Sequence, residues 1–290
     1  MKTALVNCFG FLGDTLIQSC VAKPLVKEKE FDNVYFGLPF PQTERLLERN
    51  PYITGVFDKN TGHVPRGIQV DEIFNMGSVN QYEPATIQYK RMCGVKDNSI
   101  DYEIYTDPEL DSIYQAIHDD SASQPVVSYQ ANWKEKAFLF TEEEYERAID
   151  VPYKGYGGKI RDIDKIINLI KQKSTMLLVS VGFPAGVSQH SHESRNSNLY
   201  DKTASLIKSC DWFIGSESGL SNLSAGIGTK CIITTDYIAQ LYGRKGIISK
   251  NLNPQMGPAT YFPDAGHVHL NPYLTDEQVA EQIVEIIESN

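Results

Sequence analysis

The stretch DWFIGSESGLSNLSAGIGTKCIITT, which runs from Asp211 to Thr235, decides the fold of this chain. It opens with the apolar run WFI, which is typical of a buried parallel strand. Residues 216–218 then offer helix-capping side chains. The apolar residues that follow are spaced three and four apart up to Gly228, and a second apolar run begins at Cys231. Strand, turn, helix and strand in this order predict half of a doubly wound parallel sheet.

The turn of this stretch is a candidate ligand site. In open α/β sheets ligands bind at the carboxyl ends of the strands, and the amide groups and dipole at a helix start suit a diphosphate. Small hydroxyl side chains near this helix start would let a ligand approach closely: Ser216, Ser218, Ser221 and Ser224. The Glu217 carboxylate suits a hydroxyl group of a sugar or ribose. The alternative is an ordinary, well-capped βαβ crossover.

Composition predicts two globular domains. The chain has 290 residues, of which 41% are hydrophobic, and this is enough for two separate cores. A formal net charge of −10 argues against a large surface for nucleic-acid phosphates. No run approaches the roughly 18 apolar residues that span a bilayer. The segment Met1–Val6 predicts a first strand rather than a signal peptide, because polar and glycine residues interrupt it from Asn7 onward.

Cysteine and histidine spacing indicates neither a disulfide framework nor a metal site. The five cysteines are scattered without a C-x-x-C pair, which predicts reduced, mostly buried thiols in a cytoplasmic protein: Cys8, Cys20, Cys93, Cys210 and Cys231. The pairs His190/His192 and His267/His269 alternate as a metal pair would, but no cysteine or carboxylate cluster completes either set. We therefore expect no bound metal.

The amino-terminal half carries a second strand–turn–helix pattern. A strand over residues 2–8 is followed by the glycine-rich turn FGFLGD, which ends at Asp14, and by a helix over residues 15–27. The turn lacks the Gly-Lys-Ser/Thr ending of a Walker loop. Taken alone, this pattern predicts that Asp14 is the N-cap of the helix.

Strands and helices alternate along the chain, which predicts an α/β fold with parallel sheets. The segment Met176–Val181 is nearly continuous in apolar residues and predicts a central strand that is covered on both faces. The segment that ends at Pro125 has linker composition. The sequence therefore predicts one domain over residues 1–124 and another over residues 125–290.

Both turn motifs resemble those of the heptosyltransferase-like (glycosyltransferase family 9-like) family of GT-B glycosyltransferases. That family reads Asp-Ser/Thr-Gly-x-x-His-x-x-Ala after an apolar strand. This chain reads ESGLSNLSA at residues 217–225, with Glu217 in place of the Asp and Asn222 in place of the His. The family also has Gly-Asp after strand one and a proline further along, which correspond to Gly13, Asp14 and Pro24. The resemblance implies two Rossmann-like doubly wound domains that face a cleft.

The resemblance also implies roles for both domains. Residues 1–124 would form the acceptor side and residues 125–290 the nucleotide-sugar side of an inverting glycosyltransferase that needs neither a metal nor a cofactor. Asp14 would be the general base that takes the proton of the acceptor hydroxyl. The implied donor-binding residues are Lys134, Lys136, Glu217, Ser218, Gly219 and Asn222. The implied acceptor-side residues are Gly13, Gln88 and Arg91.

Three alternatives accompany this hypothesis. The resemblance to the family favours a saccharide acceptor. A modified DNA base or a protein would also suit a small chain without a membrane-docking helix. A DNA acceptor would require cations on one face, including Lys154, Lys159, Arg161 and Lys165. The same fold could catalyse epimerisation of a nucleotide sugar. The replacements at Glu217 and Asn222 would also suit a nucleotide-sugar-binding protein without catalytic activity.

Overall fold

Two separate parallel sheets form the framework of the protein. The computed structural model describes residues 1–10, 12–39, 43–61, 67–79, 84–121, 124–130, 163–181, 199–216, 218–235, 267–270 and 274–290. Helices alternate with strands along the chain, and all the strand pairs within these ranges are parallel. The predicted α/β class with parallel sheets is therefore confirmed.

The first sheet has the strand order β3-β2-β1-β4. Its strands are β1 (Thr3–Asn7), β2 (Asn33–Leu38), β3 (Gly55–Asp58) and β4 (Glu72–Asn75). At the end of β1, Asn7 lies opposite Gly37 on one side and Asn75 on the other. The carboxyl ends of β1, β2 and β4 therefore meet at one edge of the sheet, where an open α/β sheet binds its ligands.

The first long helix is divided in two. It consists of α1 (Leu12–Gln18), a 3₁₀ turn over Ser19–Val21 and α2 (Ala22–Lys27). Pro24 explains the break, because proline lacks an N–H group and its ring clashes with the carbonyl group four residues earlier. Since α1 already begins at Leu12, Asp14 lies inside its first turn, and the interpretation of Asp14 as the N-cap was wrong.

Three further helices follow along the chain: α3 (Glu44–Glu48), α4 (Ala85–Met92) and α5 (Pro108–Asp119). A 3₁₀ turn over Lys59–Thr61 follows β3. The start of α5 is capped in the usual way: the Asp107 side chain accepts a hydrogen bond from the Glu109 amide, and Pro108 occupies the first helical position.

The second sheet has the strand order β6-β5-β7-β8-β9. Its strands are β5 (Val126–Gln130), β6 (Leu177–Val181), β7 (Trp212–Ser216), β8 (Lys230–Thr235) and β9 (Val268–His269). The prediction of a central, covered strand at β6 was wrong. Within the described ranges β6 ends the strand order, and 38% of Leu177 is exposed. An apolar run alone does not distinguish an edge strand from a central one.

In the second half of the chain, which begins with β5, the helices are α6 (Ile163–Lys173), α7 (Leu199–Lys208), α8 (Gly219–Ile227) and α9 (Asp276–Glu288). Helices α6 and α9 pack together and bury a stripe of isoleucines on α6 against one face of the sheet. Thr275 and Gln278 form a capping box at the start of α9.

An apolar core continues from the first sheet into the second half. It contains Leu16 of α1, Leu223 of α8 and Phe213 of β7 in one cluster of contacts. The segment that leaves the first sheet also joins the second half before the predicted boundary at residue 124. The Ile104 amide donates a 2.8 Å hydrogen bond to the Gly226 carbonyl, and α5 packs against α7. The two-domain division stays a prediction.

The cysteines follow the expectation from their spacing. All five are buried and unpaired, and burial raises the pKa of each thiol, to about 12 for Cys93 and Cys231 and to about 11 for Cys210. Such thiols are poor nucleophiles. None of the helices in the described ranges has the length and apolar character needed to cross a bilayer.

Candidate active site

Asp14 lies at the carboxyl edge of the first sheet, just after β1. The preceding turn passes through Gly10, which has a φ of +87°. A methyl group on Gly10 would collide with the carboxylate of Asp14, so the acidic side chain lies directly against the glycine. Glycine is needed here both for the backbone conformation and for this contact. The half-buried Asp14 carboxylate is thereby supported by the turn.

The start of α8 is rigidly capped. The Ser218 hydroxyl accepts a hydrogen bond from the Ser221 amide, and the Ser221 hydroxyl accepts one from the Ser218 amide at 2.8 Å. The Ser218 hydroxyl also donates to Gln130 Oε1 at the end of β5, at 3.0 Å. Because the first amide groups of a helix have no acceptor within it, those of Gly219 and Leu220 suit an anionic ligand.

Helices α1 and α8 meet through two glycines. A methyl group on Gly13 would collide with the Asn222 amide nitrogen and lie 3.3 Å from the Cα atom of Gly219. A methyl group on Gly219 would lie 2.8 Å from the Leu12 side chain. The two glycines allow a close approach, because a side chain at either position would have to displace Asn222 or Leu12. This approach brings Asp14, the residue after Gly13, to the helix that carries the predicted donor motif.

Buried polar groups surround Asp14 on the side of α4. Burial raises the pKa of the Tyr89 phenol well above its ordinary value, the hydrogen bond with Gln18 lowers it, and the negative charge of Asp14 raises it further. Tyr89 is therefore a neutral phenol near the carboxylate at physiological pH. Its ring is buried, and Gln18 is fully buried.

The structure brings several of the predicted site residues together and leaves others apart. Gly13, Asp14, Ser218, Gly219 and Asn222 lie where α1 meets α8. The predicted donor contacts Lys134, Lys136 and Glu217 lie outside the described residues.

The two predicted acceptor contacts lie on α4. Gln88 is buried and Arg91 is exposed in the last turn of the helix. Near that turn Lys29 bridges the Cys93 carbonyl and Glu72 at the amino end of β4. Arg91 therefore lies toward the edge of the sheet opposite Asp14, and both acceptor roles stay predictions.

The structure adds residues that the sequence patterns did not indicate. The Lys59 ammonium group donates a hydrogen bond to the Cys8 carbonyl beside the end of β1. The Tyr102 hydroxyl donates a 2.5 Å hydrogen bond to the Asn222 carbonyl. This bond ties α8 to the segment between α4 and α5. The partners of Lys59 and Tyr102 are 51 and 120 residues away along the chain, and no periodic pattern links residues at such separations.

One histidine of the two pairs has a structural role in the described residues, and the expectation of no bound metal stays a prediction. His267 Nδ1 accepts a 3.0 Å hydrogen bond from the Cys231 amide, so this side chain joins β8 to the start of β9. Within the described ranges no group of three or more metal-ligating side chains occurs. His190 and His192 lie outside these ranges.

The chain is similar in fold to solved glycosyltransferases of family 9 and to heptosyltransferases. A family 9 glycosyltransferase from Veillonella parvula aligns at a TM-score of 0.57 with 14% identity, over 99% of this chain and 96% of that one. Escherichia coli ADP-heptose lipopolysaccharide heptosyltransferase II aligns at 0.58 with 12% identity, over 100% and 99%.

A third structure shows the same similarity over most of its length. The iron-containing dodecameric glycosyltransferase TibC from enterotoxigenic E. coli aligns at a TM-score of 0.53 with 12% identity, over 99% of this chain and 77% of that one. No protein-family model and no curated protein matches the sequence. At these identities the similarity establishes the fold.

Proposed function

We propose that this chain is a GT-B glycosyltransferase whose active site lies where α1 meets α8. The observation that carries the proposal is the contact of Gly13 with Gly219 and Asn222, because it brings the predicted base to the predicted donor helix. The donor is a nucleotide-diphosphate sugar and the acceptor is a saccharide hydroxyl. The similarity in fold to family 9 glycosyltransferases and heptosyltransferases supports this class of reaction.

The proposed reaction needs no covalent intermediate. Asp14 accepts the proton of the acceptor hydroxyl while the hydroxyl oxygen attacks the anomeric carbon of the donor sugar. The bond from that carbon to the diphosphate breaks, and the nucleoside diphosphate leaves with the electron pair. The first-turn amide groups and the dipole of α8 stabilise the charge that develops on the diphosphate. Attack opposite the leaving group inverts the anomeric centre.

The side chains of the donor site have complementary proposed roles. Ser218 holds the helix start through its hydrogen bonds to Ser221 and Gln130. Asn222 hydrogen-bonds the donor, and Glu217 accepts a hydrogen bond from a sugar or ribose hydroxyl. Lys134 and Lys136 neutralise the diphosphate. A saccharide acceptor is favoured over DNA, because the formal net charge of −10 opposes binding to nucleic-acid phosphates.

The test begins with donor binding and then removes the base. ADP-, UDP-, GDP- and dTDP-sugars are screened for thermal stabilisation, which reports a ligand by mass action. With the donor so found, Asp14→Asn should lower turnover by about 10²- to 10⁴-fold and leave the donor dissociation constant unchanged. Asp119→Asn, on an exposed side chain of α5, is the matched control and should keep full turnover.

Each alternative predicts a different outcome of this test. Turnover that survives in Asp14→Asn would contradict the assigned base. A new nucleotide sugar formed from the donor alone would identify an epimerase. A donor that binds tightly without turnover in the presence of any saccharide would identify a binding protein.

A further inference from the structure

Phe9 is an exposed aromatic residue in the turn that supports Asp14. It lies between the buried Cys8 and Gly10, and 46% of it is accessible to solvent. The side chain therefore stands at the carboxyl edge of the first sheet, one residue before the glycine on which the Asp14 carboxylate rests. A single exposed apolar residue is common on protein surfaces and indicates nothing by itself. Phe9 differs from such residues because a buried side chain fixes its main chain.

The Gln18 side chain forms two hydrogen bonds with the main chain of Phe9. The Phe9 amide donates to Gln18 Oε1 at 3.0 Å, and Gln18 Nε2 donates to the Phe9 carbonyl at 2.8 Å. Gln18 has no exposed surface, and Tyr89 of α4 adds a hydrogen bond to the same side chain. A buried carboxamide thus uses its polar atoms to fix one surface residue, and the order so imposed restricts where the Phe9 ring can lie.

Polar groups lie near Phe9 at this edge of the sheet. Asn7 and Asn75 stand at the ends of β1 and β4, where Asn7 Nδ2 donates to Asn75 Oδ1 at 2.8 Å. The Lys59 ammonium group is already engaged by the carbonyl of Cys8, the residue before Phe9. An apolar ring beside amide groups suits an uncharged ligand with one apolar face and a rim of hydroxyl groups. A pyranose ring has this shape and chemistry.

We propose that Phe9 is an acceptor-binding residue that stacks on the apolar face of a pyranose, and that Gln18 is the positioning residue that presents it. This inference rests on the proposed function, because it places the acceptor beside Asp14. A sugar stacked on Phe9 would carry its hydroxyl groups toward the carboxylate that lies on Gly10. The acceptor is then recognised by its ring and hydroxyl groups rather than by phosphate or carboxylate charge.

The first experiment measures acceptor binding without any turnover. Saturation-transfer NMR and titration are carried out with the methyl pyranosides of glucose, galactose, mannose and N-acetylglucosamine. The wild-type chain and Phe9→Tyr should bind at least one of them, and Phe9→Ala should weaken that binding by roughly tenfold. Ile113→Ala removes another exposed apolar side chain, on α5, and is the matched control that should bind as the wild type does.

Two outcomes would overturn the inference: equal binding by Phe9→Ala and wild type, or no binding of any pyranoside to the wild type. Turnover is measured separately, so the two proposals can fail separately. Pyranoside binding that depends on Phe9, in a chain that consumes no donor, would refute the proposed function but support a pyranose-binding site at Phe9. Consumption of the donor by a chain that binds no pyranoside would support the proposed function but refute the role of Phe9.

The second experiment tests the role of Gln18. Gln18→Met keeps the volume of the side chain and removes both hydrogen bonds to Phe9. It should weaken pyranoside binding several-fold in the wild-type background and change nothing in a Phe9→Ala background, because the two residues then act as one unit. An equal loss in both backgrounds would show that Gln18 acts through general stability and would overturn its positioning role.

Discussion

At the scale of single residues, Gly10 and Gly67 share a backbone conformation but differ in what lies beside them. Their φ angles are +87° and +90°, a region that side chains disfavour. A methyl group on Gly10 would meet the Asp14 carboxylate, whereas one on Gly67 would meet no atom within 4 Å. Substituting each glycine in turn therefore separates the free energy lost through backbone strain from the free energy lost by displacing Asp14.

Gly10→Ala should lower the free energy of unfolding by about 3 kcal/mol, and Gly67→Ala by about 1 kcal/mol, because only the first adds a collision to the backbone strain. Gly10→Ala should also lose glycosyl transfer, since Asp14 must move. Urea unfolding and initial rates measure the two effects. Equal stability losses in both variants, with transfer retained in both, would show that Gly10 does not support the carboxylate.

Sequence reasoning found Asp14 through a motif but missed the residues that support the turn before it. The glycine-rich turn and the Gly-Asp pair are local, so a pattern over a few residues reveals them. Gln18 is local too, nine residues from Phe9, but an amide within a helix pattern gives no sign that it is buried. Lys59 reaches Cys8 only through the pairing of β2 with β1 and β3.

At the scale of secondary structure, α8 and α9 begin with the same capping box. Ser218 pairs with Ser221 in one helix, and Thr275 pairs with Gln278 in the other. The caps satisfy amide groups that a helix start leaves without partners. They differ in that Ser218 also bonds Gln130 and lies beside α1, whereas Thr275 begins a helix that packs on α6.

Ser218→Ala and Thr275→Ala should each lower the free energy of unfolding by about 1 kcal/mol, because each removes one cap. Only Ser218→Ala should weaken binding of the nucleotide sugar, since the amide groups of α8 then lose their fixed direction. Urea unfolding and thermal stabilisation by the donor provide the measurements. If both variants bound the donor like the wild type, the start of α8 would not be the donor site.

The secondary structure was predicted best where several signals agreed. The segment from β7 to β8 combined apolar runs, capping serines and Gly228, which takes a φ of +88° at the end of α8. The first helix was predicted as one piece because Pro24 was read as part of a motif rather than as a helix breaker. The position of β6 at the end of its sheet, as far as the described residues extend, depends on strand order, which local apolar content does not encode.

At the scale of the whole molecule, Arg49 joins the two halves. It follows α3, and its guanidinium binds Asp201 of α7 at 2.6 Å and Asp107, the cap of α5, at 2.8 Å. Only 2% of the Asp201 side chain is exposed. The hydrogen bond with Asp201 raises the pKa of Arg49, so the guanidinium keeps its charge. No sequence signal joins these residues, since 152 positions separate Arg49 from Asp201.

Arg49→Met should lower the free energy of unfolding by about 3 kcal/mol, because it leaves the buried Asp201 carboxylate with a weaker partner. Lys173→Met is the matched control. Lys173 also forms a 2.6 Å ion pair, with Glu281, but both side chains are exposed, and the expected loss is below about 1 kcal/mol. Urea unfolding compares them, and Asp201→Asn should recover part of the loss in the Arg49→Met background. If Arg49→Met and Lys173→Met lowered the free energy of unfolding equally, the ion pairs of Arg49 would contribute no more to stability than an exposed pair does.

The segment between α4 and α5 crosses from the first half of the chain to the second within a few residues. Lys90 of α4 binds Asp97 and Ser99 at 2.7 Å, which ties residues 97–99 to the first half. The Tyr102 hydroxyl and the Ile104 amide bind α8, whereas Glu103 pairs with Lys23 of α2. Any rotation of one half against the other would therefore turn on these few residues. It would have to separate α1 from α8, break the ion pairs of Arg49 and open the apolar core that both halves share.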